Sequence, residues 1–127
     1  MRNNLNSNLD NKKCVWVEVE FFRYIVSFVE LNRRTPKVFI SGAISNRKDT
    51  YREFFEKAEQ FMEEIGLEYY SPTSLPEGLT WDESIEITLN ELKDCDCVFI
   101  LKGWEGSEGV RREVIKASEL KIPIFYE

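Results

Sequence analysis

The sequence predicts an α/β fold in which a small parallel sheet of four or five strands lies between layers of helices. From residue 37 onward, short apolar runs alternate with segments whose apolar residues recur at helical spacing. Such alternation is typical of parallel strands joined by crossover helices. The 127 residues, 43% of them hydrophobic, suffice for one domain with a packed core.

Four short apolar segments are the predicted strands. They cover residues 38–40, 67–70, 97–101 and 122–126. The third is the most apolar and is expected at the centre of the sheet. Proline cannot donate a ladder hydrogen bond, so Pro123 predicts that the last strand begins there or lies at an edge.

Three amphipathic helices separate these strands. Thr50 with Glu53 and Thr80 with Glu83 each predict a capping box at a helix start, and the third helix carries apolar residues from Val110 to Leu120. The order predicts a Rossmann-like or flavodoxin-like three-layer sandwich. Ligands of such folds bind beyond the carboxyl ends of the strands, so loops 41–48, 71–80 and 102–109 are expected to converge on one site.

The chain divides by composition before this domain. Residues 1–13 form a polar tail expected to be mobile, residues 14–36 an extension, and residues 37–127 the main domain. The segment 14–31 alternates like a strand in its first half. Its second half has apolar residues at helical spacing: Phe21, Tyr24, Ile25, Phe28 and Leu31. Strand and helix both remain open, as do packing on its own domain and a role as a subunit interface.

Composition excludes several kinds of site. The net charge of -6 disfavours a long nucleic acid as partner, and the absence of histidine removes the commonest general base and metal ligand. Cys14, Cys95 and Cys97 form neither a disulfide framework nor a zinc site, so we expect a reducing, cytoplasmic setting with no metal and no cofactor. Arg23 and Glu30 interrupt the longest apolar run, which argues against a membrane segment.

Two of the converging loops carry the candidate site residues. Gly42 follows the first strand, where a glycine lets backbone approach a ligand, although a plain tight turn explains it equally well. The loop 103–109 leads into a helix start, at which Ser107 indicates either an anion site or a simple N-cap. Glu113 follows on the inward side of that helix, beside Val110 and Ala117. A partly dry carboxylate of this kind suits a nucleophile.

These motifs together resemble a known family. The resemblance covers residues 37 to about 122 and rests on Val38-Phe39-Ile40-Ser41-Gly42, Ser71-Pro72, Leu75-Pro76-x-Gly78-Leu79, Cys95-Asp96, Gly103-Trp104-Glu105-x-Ser107-x-Gly109 and Glu113. It is to the nucleoside 2-deoxyribosyltransferase-like superfamily, through a domain of unknown function frequent in phages and bacteria. The stretch from Ser107 to Glu113 is also similar to that of the 2′-deoxynucleoside 5′-monophosphate N-glycosidases.

The resemblance implies a function and roles for particular residues. It implies cleavage or transfer at the N-glycosidic bond of a nucleoside or nucleoside 5′-monophosphate, with Glu113 as the nucleophile and a glycosyl-enzyme intermediate, as in retaining glycosidases. It places Ser107 at the 5′-phosphate and the loop from Gly42 through Ile44 to Asn46 along the sugar and phosphate, with Gly109 also among the substrate-binding residues. From the residues alone, Trp104, Trp81 and Tyr51 could stack on a base, but aromatic residues at these spacings are as often part of the core. The resemblance also implies a homo-oligomer, a dimer or larger.

The chain departs from this family at two positions. Thr88 stands where the hydrolases carry an aspartate that assists the leaving base, and Ala43 stands where proline is usual. A threonine hydroxyl is too weak an acid to protonate a base at neutral pH. A carboxylate from the helix flank (Asp82, Glu86, Glu91) or from loop 71–80 could substitute. The alternative is a non-catalytic nucleotide-binding or sensing module of the same fold. Asp96 is expected to be structural. The single Gly42 in place of G-x-G-x-x-G argues against a dinucleotide-dependent oxidoreductase.

Overall fold

The protein has alternating helices and strands. The computed structural model describes residues 9–44 and 50–127, with side chains of the first helix from residue 19 onward. The elements are α1 (Leu9–Asn32), β1 (Val38–Ser41), α2 (Tyr51–Glu64), β2 (Tyr69–Tyr70), α3 (Trp81–Leu92), β3 (Cys97–Ile100), α4 (Glu108–Glu119) and β4 (Ile124–Tyr126). Single 3₁₀ turns occur at Pro72–Ser74 and Trp104–Gly106.

The four strands of the described chain form one parallel sheet in the order β2-β1-β3-β4. This confirms the predicted fold class. β1 and β3 pair along their whole lengths, from Val38 opposite Cys97 to Ser41 opposite Ile100. β4 is an edge strand, and Pro123 immediately precedes it, as predicted. The chain reverses its winding direction between β1 and β3, and ligands of open α/β sheets bind in the crevice at such a point.

Two apolar clusters, one on each face of the sheet, make up the core. Side chains alternate across a strand, so Ile40 and Phe99 join α1 and α2 on one face, while Phe39 and Val98 join α3 and α4 on the other. Phe39, Ile40 and Val98 have no exposed surface. The result is the three-layer sandwich that the alternating pattern predicts.

The N-terminal extension is a helix that packs on the domain. The Phe21 side chain is 1% exposed, and its ring lies 5.4 Å from that of Phe99 and 5.3 Å from that of Phe125. This decides between strand and helix for residues 14–31. Leu31 does not belong to the buried face, because it lies in the last turn and is 83% exposed. The helix begins at Leu9, so residues 9–13 are helical although their composition predicts a mobile tail, and residues 1–8 lie outside the described part.

Asp96 holds α1 and the start of β1 together. Its carboxylate accepts two hydrogen bonds from the Arg34 guanidinium, at 2.8 and 3.0 Å, and one from the Lys37 backbone N–H at 2.8 Å. Tyr24 donates to the Asp96 carbonyl at 3.0 Å. The hydrogen bonds from Arg34 hold the pKa of Asp96 below its usual range. All of this occurs at the amino end of β3, so Asp96 has the structural role that we expected.

Buried thiols flank Asp96. Cys95 and Cys97 are unpaired and buried, and burial raises the pKa of each thiol to about 12. Thiols of this kind are inert at neutral pH, because the thiolate is the reactive form. The side chain of Cys14 lies outside the described residues.

The two predicted capping boxes have different outcomes. Thr80 accepts a hydrogen bond from the Glu83 N–H, and the Glu83 carboxylate accepts one from the Thr80 N–H, which confirms the box at α3. The prediction of a capping box at α2 is wrong. Thr50 is the N-cap residue, but its ψ of -6° is not the extended conformation that directs a cap hydroxyl at the helix, and its side chain makes no cap hydrogen bond.

Candidate functional site

The carboxyl ends of the strands open into a cavity of about 560 Å³. Its size is in the range of small-molecule sites. Three loops contribute to it, as predicted, together with the first turns of α2, α3 and α4. Its described lining residues are Gly42, Ile44, Tyr51, Arg52, Pro72, Leu75, Pro76, Glu77, Gly78, Leu79, Trp81, Ser84, Ile85, Thr88, Gly106, Ser107, Glu108, Gly109, Val110 and Glu113.

Glu113 is the buried charged group of this cavity. It lies on the inward face of α4 between Val110 and Ala117, and is 7% exposed. Ser41, the last residue of β1, donates a hydrogen bond of 2.6 Å from its hydroxyl to Glu113 Oε1. Ser41 is itself 1% exposed. This hydrogen bond therefore joins the end of the central strand β1 to the helix α4, which starts 67 residues further along the chain.

Burial controls the protonation of Glu113. Desolvation raises the pKa of Glu113 to about 7, because a charged carboxylate is disfavoured away from water. This value already includes the opposing effect of the Ser41 hydroxyl and then of Thr88, both of which lower it. Glu113 can therefore exchange a proton near neutral pH, and the hydrogen bond from Ser41 favours its ionised form.

Removing the Ser41 hydroxyl should raise the pKa of Glu113 further. A hydrogen bond to a charged group contributes about 1.5–3 kcal/mol, and 1.36 kcal/mol corresponds to one pH unit, so Ser41→Ala should raise this pKa by about one pH unit or more. The measurement is a carboxyl-carbon NMR titration of protein labelled with ¹³C-glutamate, with the Glu113 signal assigned by its loss in Glu113→Gln. Ser84→Ala is the matched control, because Ser84 lines the same cavity without a hydrogen bond to Glu113. If the pKa of Glu113 is the same in Ser41→Ala and Ser84→Ala, Ser41 does not stabilise the ionised carboxylate.

Ser107 caps α4 at the rim of the cavity. Its hydroxyl oxygen accepts a hydrogen bond from the Val110 N–H at 3.2 Å, so the simple N-cap interpretation of this serine is correct. The hydroxyl also lines the cavity. Since its oxygen accepts the cap bond, its own O–H is available as a donor to a ligand.

The two glycines among the candidate residues permit close packing. A Cβ atom at Gly42 would lie 3.0 Å from the Phe55 ring and 3.1 Å from Leu101 Cδ1. A Cβ at Gly109 would lie 3.2 Å from Ile85 Cδ1. Close approach to core side chains, and not a left-handed backbone conformation, accounts for the glycine at position 42.

The structure brings most of the predicted site residues together. Gly42, Ile44, Ser107, Gly109 and Glu113 all line the cavity. Trp104 does not, because the 3₁₀ turn places its ring against β4, 5.7 Å from the Tyr126 ring. Asn46 lies outside the described residues. The aromatic rings that do line the cavity are those of Tyr51 and Trp81.

Thr88 also faces the cavity, as its helical position predicts. It is 3% exposed, and Ser84 lines the same wall one turn earlier. None of the flank carboxylates of α3 (Asp82, Glu86, Glu91) belongs to the described lining, whereas Glu77 of loop 71–80 does. Among the described residues there is no group of three His, Cys, Asp or Glu side chains that could hold a metal ion.

Sequence reasoning missed Arg52. It is the one cation among the described lining residues, and its guanidinium lies 5.3 Å from the centre of the Tyr51 ring. A signal was available, because a cation in the first turn of a helix opposes the helix dipole and is unusual without another reason. Arg112 likewise lies over an aromatic ring, with its guanidinium 5.1 Å from the centre of the Trp81 ring.

A family model matches residues 36–126 of the chain, which is most of its length. Its description is "Domain of unknown function (DUF4406)". The chain belongs to this family. The match begins after α1, so the N-terminal helix lies outside the family domain. No curated protein matches the sequence.

Two solved structures share the fold. One is the 2-deoxyribosyltransferase of Bacillus psychrosaccharolyticus, with 20% identity and a TM-score of 0.56 over 71% of this chain and 70% of that protein. The other is the CMP N-glycosidase BcmB of Clostridium botulinum, with 22% identity and a TM-score of 0.52 over 71% of this chain and 66% of that protein. At these identities the likeness shows a shared fold. In the described part of the chain, no helix is long and apolar enough to cross a membrane.

Proposed function

We propose that this protein cleaves, or transfers a sugar at, the N-glycosidic bond of a nucleoside or nucleoside 5′-monophosphate, with Glu113 as the nucleophile. The observation that carries this proposal is the buried Glu113 carboxylate, which lies in a cavity of nucleotide size where the strands β1 and β3 end. The two proteins of the same fold are a 2-deoxyribosyltransferase and a CMP N-glycosidase, which agrees with chemistry of this class.

The reaction would proceed in two displacement steps. The Ser41 hydroxyl holds Oε1 of Glu113, so the other carboxylate oxygen is the one that attacks the anomeric carbon. The bond from this carbon to the base breaks, its electron pair stays on the base nitrogen, and a glycosyl ester of Glu113 forms. Water or a second base then attacks the same carbon, and Glu113 leaves again as the carboxylate. The two inversions give net retention.

The departing base must also receive a proton. Thr88 is too weak an acid to supply it. Glu77 lines the cavity from loop 71–80, whereas the α3 flank carboxylates do not line it. Among the substitutes that the sequence offers, Glu77 is therefore the proton donor we propose.

A 5′-phosphate would bind at the rim. Arg52 supplies positive charge, and the Ser107 hydroxyl with the start of α4 supplies neutral donors. The remaining charged side chains of the described lining are carboxylates, so among the described residues Arg52 is the one that would attract a dianionic group. Tyr51 and Trp81 offer ring faces for a base.

The second candidate is a nucleotide-binding or sensing module without turnover. Two observations favour it. Thr88 offers no acid to the leaving base, and the raised pKa of Glu113 leaves part of the nucleophile protonated at neutral pH. Such a module would keep the cavity and the helix start at Ser107.

The deciding experiment is release of free base from a panel of ribo- and deoxyribonucleosides and their 5′-monophosphates. Wild-type protein, Glu113→Ala and the matched variant Glu108→Ala are compared by chromatography, with and without a second base as acceptor. Release or exchange that Glu113→Ala loses and Glu108→Ala keeps supports the enzyme. Failure of the whole panel in both formats, with tight binding of one member seen by calorimetry, would overturn the catalytic proposal in favour of the binding module.

A further inference from the structure

The outer side of α1 carries a stripe of exposed apolar residues. Phe22, Val26 and Val29 are 39%, 59% and 37% exposed. Their spacing of four and three residues places them on one side of the helix. Single exposed apolar side chains are common on protein surfaces, whereas a stripe at this spacing is the pattern with which one helix recognises another.

The helix that presents this stripe is firmly held. Phe21 is buried against β3 and β4, and the Asp96 hydrogen bonds attach the segment that follows the helix. The stripe begins beside α2, where the Phe22 ring lies 6.2 Å from the Phe61 ring. It is therefore a fixed surface with α2 along one margin.

Two opposite charges border the other margin of the stripe. Arg23 and Glu30 are seven residues apart, or two helical turns, so they lie on the same flank. Both are exposed, and neither forms an ion pair with another described side chain. A positive charge at one end of the flank and a negative charge at the other make this edge complementary to itself, but only in an antiparallel arrangement.

We propose that α1 pairs with α1 of a second copy of this chain, antiparallel about a two-fold axis near Val26. In this arrangement Val26 faces its own counterpart, and Phe22 of each copy faces Val29 of the other. The same register places Arg23 of each copy opposite Glu30 of the other, twice by symmetry. A parallel pair would instead set Arg23 beside Arg23 and Glu30 beside Glu30, which is unfavourable.

Analytical ultracentrifugation of the full chain tests this pairing. Wild type should be a dimer at micromolar concentration. Val26→Glu would place two charges together on the axis and should weaken the dimer on the order of 100-fold. Ile115→Glu is the control, because Ile115 is a 60% exposed apolar residue on α4 and its replacement should leave the dimer unchanged. Melting temperatures verify that each variant is folded.

A charge-swap cycle tests the orientation. Arg23→Glu and Glu30→Arg should each weaken the dimer about tenfold, and the double variant should restore it, because both pairs regain opposite charges. A wild-type protein that is still monomeric at 100 times the micromolar concentration used above would overturn the proposal. So would a wild-type dimer that Val26→Glu does not weaken. A double variant as weak as the single ones would overturn the antiparallel register. None of these readouts depends on the proposed activity.

Discussion

Phe21→Ala should lower the free energy of unfolding by about 3–5 kcal/mol, the usual cost of removing a buried aromatic ring from a packed core. The side chain is 1% exposed and its ring lies within 6.4 Å of those of Phe61, Phe99 and Phe125. Alanine would leave a cavity that these rings can fill only in part. The effect should be large although Phe21 lies outside the family domain.

Urea unfolding followed by circular dichroism measures this effect. Leu31→Ala is the control, because Leu31 is a large apolar residue of the same helix that is 83% exposed and lies outside the stripe of Phe22, Val26 and Val29. We expect it to cost about 1 kcal/mol or less, since little apolar surface returns to water. Equal costs for the two variants would show that α1 does not contribute to the core.

Glu113→Gln should stabilise the fold at high pH. The pKa of Glu113 is about 7 in the folded protein and 4.5 without burial, so between these values the folded state binds more protons than the unfolded state. The contribution of Glu113 to the free energy of unfolding therefore falls as the pH rises from about 4.5 to 7, and it does not recover at higher pH. Glutamine has no charge to desolvate. The gain should be on the order of 2–3 kcal/mol at pH 8 and absent at pH 4.

The same variant should abolish base release, with a loss of about 10³-fold or more, since an amide cannot form the glycosyl ester. The ester-forming step needs Glu113 ionised and the proposed donor Glu77 protonated, so wild-type activity should fall on both the acidic and the alkaline side of its optimum. Thermal unfolding at pH 4 and 8 and chromatographic assays across this range measure both effects. Glu108→Gln controls for loss of a carboxylate from the same cavity. Activity retained by Glu113→Gln would place the nucleophile elsewhere, and unchanged stability at pH 8 would exclude an ionised, desolvated carboxylate.

The domain was predictable because its signals are local. Alternation within strands and apolar stripes within helices are set by nearest neighbours, so strands and helices were found with boundaries within about two residues. The inward position of Glu113 followed from Val110 and Ala117 on the same helix face. Helical spacing likewise placed Thr88 in the cavity wall.

What the sequence could not predict depends on contacts between distant segments. The hydrogen bond from Ser41 to Glu113 spans 72 residues, and no pattern encodes it. Residues 14–31 alternate like a strand in their first half and have helical spacing in their second half, and burial of Phe21 against β3 and β4 decided between them. Trp104 was expected at the site because of its neighbours in the motif, but a 3₁₀ turn directs its ring to Tyr126.

The tight packing at Gly42 has a consequence for protein engineering. A side chain there would require Phe55 and Leu101 to move, so the floor of the cavity is also part of the core, and reshaping it should lower the stability of the fold. The wall formed by loop 71–80 does not belong to the core in this way. Its residues Leu75, Glu77 and Leu79 line the cavity, and the loop contributes no residue to either apolar cluster. A library intended to change which molecules the cavity admits should vary Leu75 and Leu79, and leave Glu77 (the proposed proton donor) and the end of β1 intact.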